Sequence, residues 1–254
     1  MKKRNYKHYI RKAHRYLGVV IGVQFFCWTL GGLYFSWTNI KEIRGERLRH
    51  HHETVAADRA LVAPKTIVEE LQRGRSDVEI GSLRLVGILG EPFYEIKYKS
   101  AGEEKTLVAA AIDGKIRPLL TEDEARQIGL AALREPQSIR GVEFLTAENV
   151  GGHHEYREKP LPAWAVTFET GLTVYLSAET GQIGAFRTNG WRVFDFLWML
   201  HTMDFETRDD INNYLLRGFS ALGIVTLLSG FLLFFVSSKF LRRILFLRPG
   251  RRAG

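Results

Sequence analysis

The sequence predicts an α+β protein in which two transmembrane helices flank a duplicated small extracytoplasmic domain. Three observations predict it. Two long uncharged runs stand near the ends of a 254-residue chain. Each run borders a densely basic tail. Between them, a helix, a strand and a strand–turn–strand signature occur twice at nearly constant spacing.

The charge distribution narrows the function classes. Net charge is +8, yet residues 1–16 hold seven Lys/Arg and no acid, and residues 238–254 hold six and no acid. Taking those thirteen charges from +8 leaves −5 for the rest. A nucleic-acid binder would carry its positive charge on the folded domain, so no nucleic-acid partner is expected. The single cysteine, Cys27, excludes an intramolecular disulfide framework and a Cys-rich zinc site. An aromatic content of 12% excludes a disordered chain.

Residues 1–15 form the first basic tail. Tyr16–Ile40 (residues 16–40) is a run of 25 uncharged residues, and about 20 apolar residues cross a hydrocarbon core. A signal peptide is the rival reading, because a basic segment precedes the run. The run is longer than a signal-peptide core, and no small-x-small cleavage site follows. Gly218–Ser238 is a second run of 21 uncharged residues, which places the second span at 214–238, ahead of the tail 239–254. Lys239, Arg242 and Arg243 follow it at once. Basic flanks face the cytoplasm, so both termini are expected inside and residues 41–213 outside, in the inner membrane of a Gram-negative cell. Tyr34, Trp37, Trp191, Trp198 and Tyr214 suit an aromatic belt at the outer interface.

Within 41–120, Ala63–Arg73 reads as a helix with Ile67, Val68 and Leu71 on one stripe. Pro92–Tyr98 alternates as a strand. Thr106–Ile112 runs into Asp113-Gly114, a hairpin signal, and then Lys115–Leu120. Within 121–190 the order recurs. Thr121–Leu133 is a helix that opens on a Thr121/Glu124 capping box. Ala163–Glu169, Leu172–Ser177 and Gln182–Phe186 are strands, the last two joined through Glu179-Thr180-Gly181. Pro92 and Pro162 are 70 residues apart and Gly114 and Gly181 are 67 apart, which reads as an internal duplication. Residues 191–213 are aromatic-rich and read as an interfacial segment.

Asp113-Gly114-Lys115-Ile116 and Thr180-Gly181-Gln182-Ile183, each between strands and after a short helix, resemble the PepSY domain. The opening His14-Arg15-Tyr16-Leu17-Gly18 resembles the His-Arg-Trp-Leu-Gly start of PepSY-associated membrane proteins, with Tyr16 at the Trp position. Leu200-His201 resembles a recurring Leu-His of the same family. The resemblance covers nearly the whole chain, in a short form with two spans. It implies an integral membrane protein, and in longer members haem-b-linked reduction of ferric siderophores. On that footing, His14 and His201 are the expected cofactor-binding and metal-ligating residues, with haem b as the cofactor. A bilayer core of about 30 Å separates their expected positions, so the pair implies a homodimer with His14 facing its mate inside and His201 facing its mate outside. Gly18-x-x-x-Gly22, Gly31-Gly32, Gly223 and Gly230 permit close helix approach.

Other polar residues read as structure. His50-His51-His52 and His153-His154 are adjacent residues that do not converge on one ion, hence solvated loops. Gln24 and Cys27 face another helix. Asp209 or Asp210 is placed to start the helix into the second span. No catalytic residue is named, because no nucleophile elbow, HExxH, P-loop or GxGxxG is present. Two readings follow: membrane electron transfer in iron or siderophore uptake, or a non-enzymatic anchored module that binds a peptide, a protease or another partner.

Overall fold

The structure is a computed structural model that describes residues 6–50, 59–73 and 77–237. It is α+β, with two long apolar helices and two antiparallel sheets. The chain divides into two compact units: residues 1–37 with 194–254, and Thr38–Val193. Most of both basic-tail ends (1–5 and 238–254), including Lys239, Arg242 and Arg243, lies outside the described residues, as do His51 and His52.

The first unit is helical. α1 spans Tyr6–Trp37 and α6, named in chain order, spans Tyr214–Ser237. Both are long and apolar enough to cross a membrane, and only 11% of the most apolar window of each is buried. The 24 residues of α6 rise about 36 Å, more than the roughly 30 Å of a hydrocarbon core. α1 and α6 meet along one seam. Ile21 is buried at 1% exposure, and Thr226 and Gly223 are buried on α6. A Cβ on Gly223 would sit 3.2 Å from Phe25, and one on Gly230 would sit 3.2 Å from His14. Small residues on α6 therefore admit large ones from α1. Gly18, Gly22 and Gly32 take no part, since a Cβ there meets nothing within 4 Å.

The second unit holds two helix-and-sheet parts. In the first, α3 (Pro64–Gln72) covers the sheet β1 (Glu79–Ile88), β2 (Glu91–Ser100) and β3 (Glu103–Ala110). Ile67 and Leu71 of α3 pack on Tyr94, Ile96, Tyr98 and Ala109. In the second, α4 (Glu122–Ala131) covers β4 (Ile139–Leu145), β5 (Ala163–Phe168), β6 (Thr173–Ser177) and β7 (Ile183–Arg187). Its core joins Ala125 and Ile128 to Val166, Phe168, Val174 and Phe186, and takes in Ile88 and Val108 of the first sheet. A short α2 (Ile40–Ile43) precedes both repeats.

Three backbone hydrogen bonds recur at corresponding places in the two parts. Gly114 N–H donates to Ala110 O at 2.8 Å, and Gly181 N–H donates to Ser177 O at 2.9 Å. Both glycines have positive φ, 77° and 69°, which a side chain disfavours. Each lies against its own helix, Gly114 on Ile67 and Gly181 on Ile128. Just before each helix, Val62 N–H donates to Ala111 O (2.8 Å) and Leu120 N–H donates to Ala178 O (2.7 Å). Those two alanines in turn donate to Pro92 O and Pro162 O.

The structure adds two strands and a helix to the sequence reading and changes one strand. β1 and β4 lie outside the strands read from sequence. The run Lys115–Leu120 forms only the single bridge Ala109–Ile116 among the described residues, framed by Ala110 N–H to Lys115 O and Arg117 N–H to Val108 O, and does not continue as a strand. The segment 191–213 contains a regular helix, α5 (Asn189–Thr202).

Candidate functional site

The end of α5 gathers side chains from α1 and from the connection to α6. The chain brings Phe194 onto Phe35 (ring centroids 4.8 Å apart) and Leu200 O onto Gln24, so α5 runs antiparallel to α1. A helix end leaves carbonyls unpaired. Here Gln24 Nε2 donates to Leu200 O and Trp28 Nε1 donates to His201 O, both at 2.9 Å. Asn213 Nδ2 donates to Thr202 O at 2.9 Å. Met203 ends the helix in the left-handed region, at φ 54°. Gln24 thus faces another helix, as its sequence position suggested, and its partner is backbone.

The connection to α6 is held by its acids. Asp204 accepts from the backbone N–H of Glu206 and Thr207 (3.1 Å each) and of Asp210 (2.9 Å), and from the Thr207 hydroxyl. Buried Asp195 accepts from Arg208 Nη1 at 2.5 Å. The N-cap of α6 is Asn213, whose Oδ1 accepts from Leu216 N–H at 2.8 Å, not Asp209 or Asp210. Asp210 caps the turn before it, accepting from Asn212 N–H.

His14 and His201 are not brought together. His14 packs on α6, and His201 packs beside Trp28; from His14 to Trp28, α1 rises about 21 Å. His14 Nδ1 lies 2.7 Å from Ser229 Oγ. That hydroxyl already donates to Thr226 O, so it accepts from His14, and the imidazole proton sits on Nδ1. Nε2 is left as a lone pair, the form a metal requires, on the ring edge that lies over Gly230.

His201 is placed the other way. Its ring stacks on Trp198 (6.0 Å, 13°) and meets Trp28 (6.0 Å) and Phe35 (6.2 Å). Its Nδ1 is buried with no hydrogen-bond partner among the described residues. Orphaned buried N–H groups are rarer than orphaned acceptors, so the neutral ring carries its proton on Nε2. A haem iron on Nε2 would force that proton onto Nδ1, where no acceptor waits. His201 as arranged therefore does not fit haem, whereas His14 has the right tautomer.

His154 is held in its turn. His154 Nδ1 accepts from Tyr156 N–H at 3.0 Å and its ring edges onto Tyr175. Among the described residues, no three of His, Cys, Asp and Glu converge as a metal-binding set.

The two-sheet unit offers a different kind of site. Among the described residues, β1 pairs only with β2, so this ten-residue strand is an edge of its sheet with no strand paired to its other side. A cavity of about 720 Å³ lies beside it, lined by Arg84, Gly87, Ile88 and Leu89 of the first repeat and by Ile128, Ala132 and Thr180–Ile183 of the second, with Arg49 and His50. Arg84 Nη2 donates to buried Glu95 at 2.8 Å, and Gln182 Nε2 donates to the same carboxylate at 2.6 Å. Gln182 thus adds a polar link between the two sheets to the apolar one made by Ile88 and Val108. A second cavity, about 810 Å³, lies at the other end of β1 and includes Glu79 and Glu179. Burial pushes the Glu179 carboxyl above its ordinary value; a bond from Thr106 opposes this, and nearby Glu95 adds to the rise.

No protein-family model, curated protein or solved structure matches the chain.

Proposed function

We propose that the chain is a PepSY-type membrane protein that binds an extended polypeptide along β1. On this reading α1 and α6 anchor it in the inner membrane, both termini are cytoplasmic, residues 41–213 lie outside, and the two repeats descend from one duplicated unit. The matched turn and pre-helix hydrogen bonds support duplication. The apolar outer faces of α1 and α6, with Val23 and Phe26 each 68% exposed, support lipid contact.

The observation that carries the function is the open edge of β1 with a basic-rimmed cavity at its side. Long free edges pair with other strands, and strand addition gives affinity through backbone bonds while adjoining pockets select side chains. Arg49, His50 and Arg84 at the cavity favour an acidic peptide. Photo-crosslinking from Leu85, exposed on β1, in the full-length chain in its own membrane tests this. The expected result is an adduct with a second polypeptide that is absent from Val174 at the centre of the other sheet. No adduct from Leu85 sinks the reading.

A second reading has one observation in its favour: the metal-ready tautomer of His14. In a homodimer the two His14 side chains would hold one haem b, and the chain would move electrons toward a ferric siderophore. Haem, when bound, supplies one-electron chemistry; His14 would hold it through Nε2 and Ser229 would orient the imidazole. The reduced-minus-oxidised spectrum of purified protein decides between the readings. Sharp b-type bands lost in His14→Ala support haem, and a flat spectrum from folded protein removes it.

A further inference from the structure

We propose that the cavity beside His201 binds the ring of a membrane-soluble quinone. The cavity measures about 320 Å³ and is lined by Trp28, Trp198, His201, Leu216 and Ser220 among others. That volume is at the small end for a ligand site. It suits one six-membered ring and is too small for a tetrapyrrole. Two indoles and an imidazole form its walls, and the Trp198 and His201 rings lie nearly parallel. Flat apolar walls select a flat apolar ligand.

The polar requirement is equally specific. Nδ1 of His201 is shut off from the cavity, so the nitrogen offered to a ligand is Nε2, which carries the proton. The wall thus presents a donor and asks for an acceptor. Thr202 is already committed, its hydroxyl donating to Trp198 O at 3.1 Å. The Trp28 N–H is spent on His201 O. A quinone carbonyl meets the His201 donor, with the Ser220 hydroxyl also on the wall, and its ring meets the indoles. A phospholipid ester offers the same acceptor without a flat ring. The ligand must also be lipid-soluble, because Trp28 is the middle residue of the uncharged run Tyr16–Ile40; this clause rests on the membrane anchoring proposed above. The site binds the ring, and no electron transfer is part of the proposal.

The test is a titration of full-length protein in detergent with decylubiquinone, read by tryptophan fluorescence. Saturable quenching is expected. His201→Phe, which keeps a ring and removes the donor, should weaken it about tenfold, the loss of one hydrogen bond. Ser220→Leu should abolish the saturable part by filling the cavity. Both variants should keep the wild-type melting temperature, and excess phosphatidylcholine should not displace the quinone. Unsaturable quenching, equal affinity in His201→Phe, or displacement by the phospholipid overturns the proposal. Membrane anchoring is tested separately: release of the chain from membranes by alkaline carbonate would overturn the anchor whatever the titration shows.

Discussion

In the first repeat α3 begins after Ala63, whose side chain caps nothing, with Pro64 supplying the first helical turn. In the second, α4 begins at Thr121 with a complete capping box. The first repeat ends its sheet in a single bridge at Ile116, while the second adds a full fourth strand, β7. At the equivalent turn position Lys115 pairs with its own Asp113, whereas Gln182 reaches across to Glu95. The hydrogen-bond frame is held in common and the cores are not. Ile88 and Val108 of the first sheet are packed into the second repeat's core. The first repeat therefore leans on the second, and the dependence should be unequal.

The largest effect should come from Phe168→Ala. This side chain is fully buried, and its loss should cost about 3–5 kcal/mol. Hydrogen exchange should then accelerate in both sheets. Ile96→Ala, equally buried in the first core, should accelerate exchange mainly in β1–β3. If both variants open both sheets equally, the asymmetry is wrong.

Next comes the fourth strand. Ala185 stands in β7 opposite Tyr175, at the position that matches Pro118. Ala185→Pro should cost about 3 kcal/mol, through a lost ladder bond and ring crowding, measured by thermal melting. Pro118→Ala should change stability by less than about 1 kcal/mol, because the chain must still turn into α4.

The capping box gives a smaller test. Thr121→Ala should cost about 1 kcal/mol; no side chain at Ala63 offers an equivalent to remove. The smallest effect is its pH dependence. Burial raises the Glu124 carboxyl, but the Thr121 N–H bond, the Arg117 charge and further hydrogen bonds outweigh it, so the folded value lies below the ordinary 4.5. A carboxyl depressed on folding stabilises above its unfolded value and loses that contribution as pH falls through the folded one. Wild-type stability should thus decline below about pH 4.5 more steeply than that of Glu124→Gln, read as melting temperature against pH.

Both repeat helices and five of the seven strands are legible in the sequence, because period-3.6 and period-2 patterns and turn glycines are local signals. β1 and β4 are not, for one shared reason. Each opens on a register shift, between Ile80 and Ser82 and between Ile139 and Gly141, and a bulge breaks the alternation that marks a strand. α5 was hidden differently: its aromatic residues suit an interface, and only the fold shows Gln24 and Trp28 waiting for its carbonyls. At the candidate sites, His14 and His201 stand out by residue type. Their opposite tautomers depend on Ser229, Thr226 and an absent acceptor, all remote in sequence. The open edge of β1 could not be read before β1 itself.

The cap on α5 has a consequence for biogenesis. Leu200 and His201 carbonyls find their partners on a helix made more than 170 residues earlier. On the membrane anchoring proposed above, α5 cannot complete its end while the last helix is still being made unless α1 waits nearby, so the machinery that inserts the chain has to keep the first helix within reach. Replacing Gln24 with leucine would then show itself first as slow maturation and degradation of newly made chains, before any defect in the mature protein.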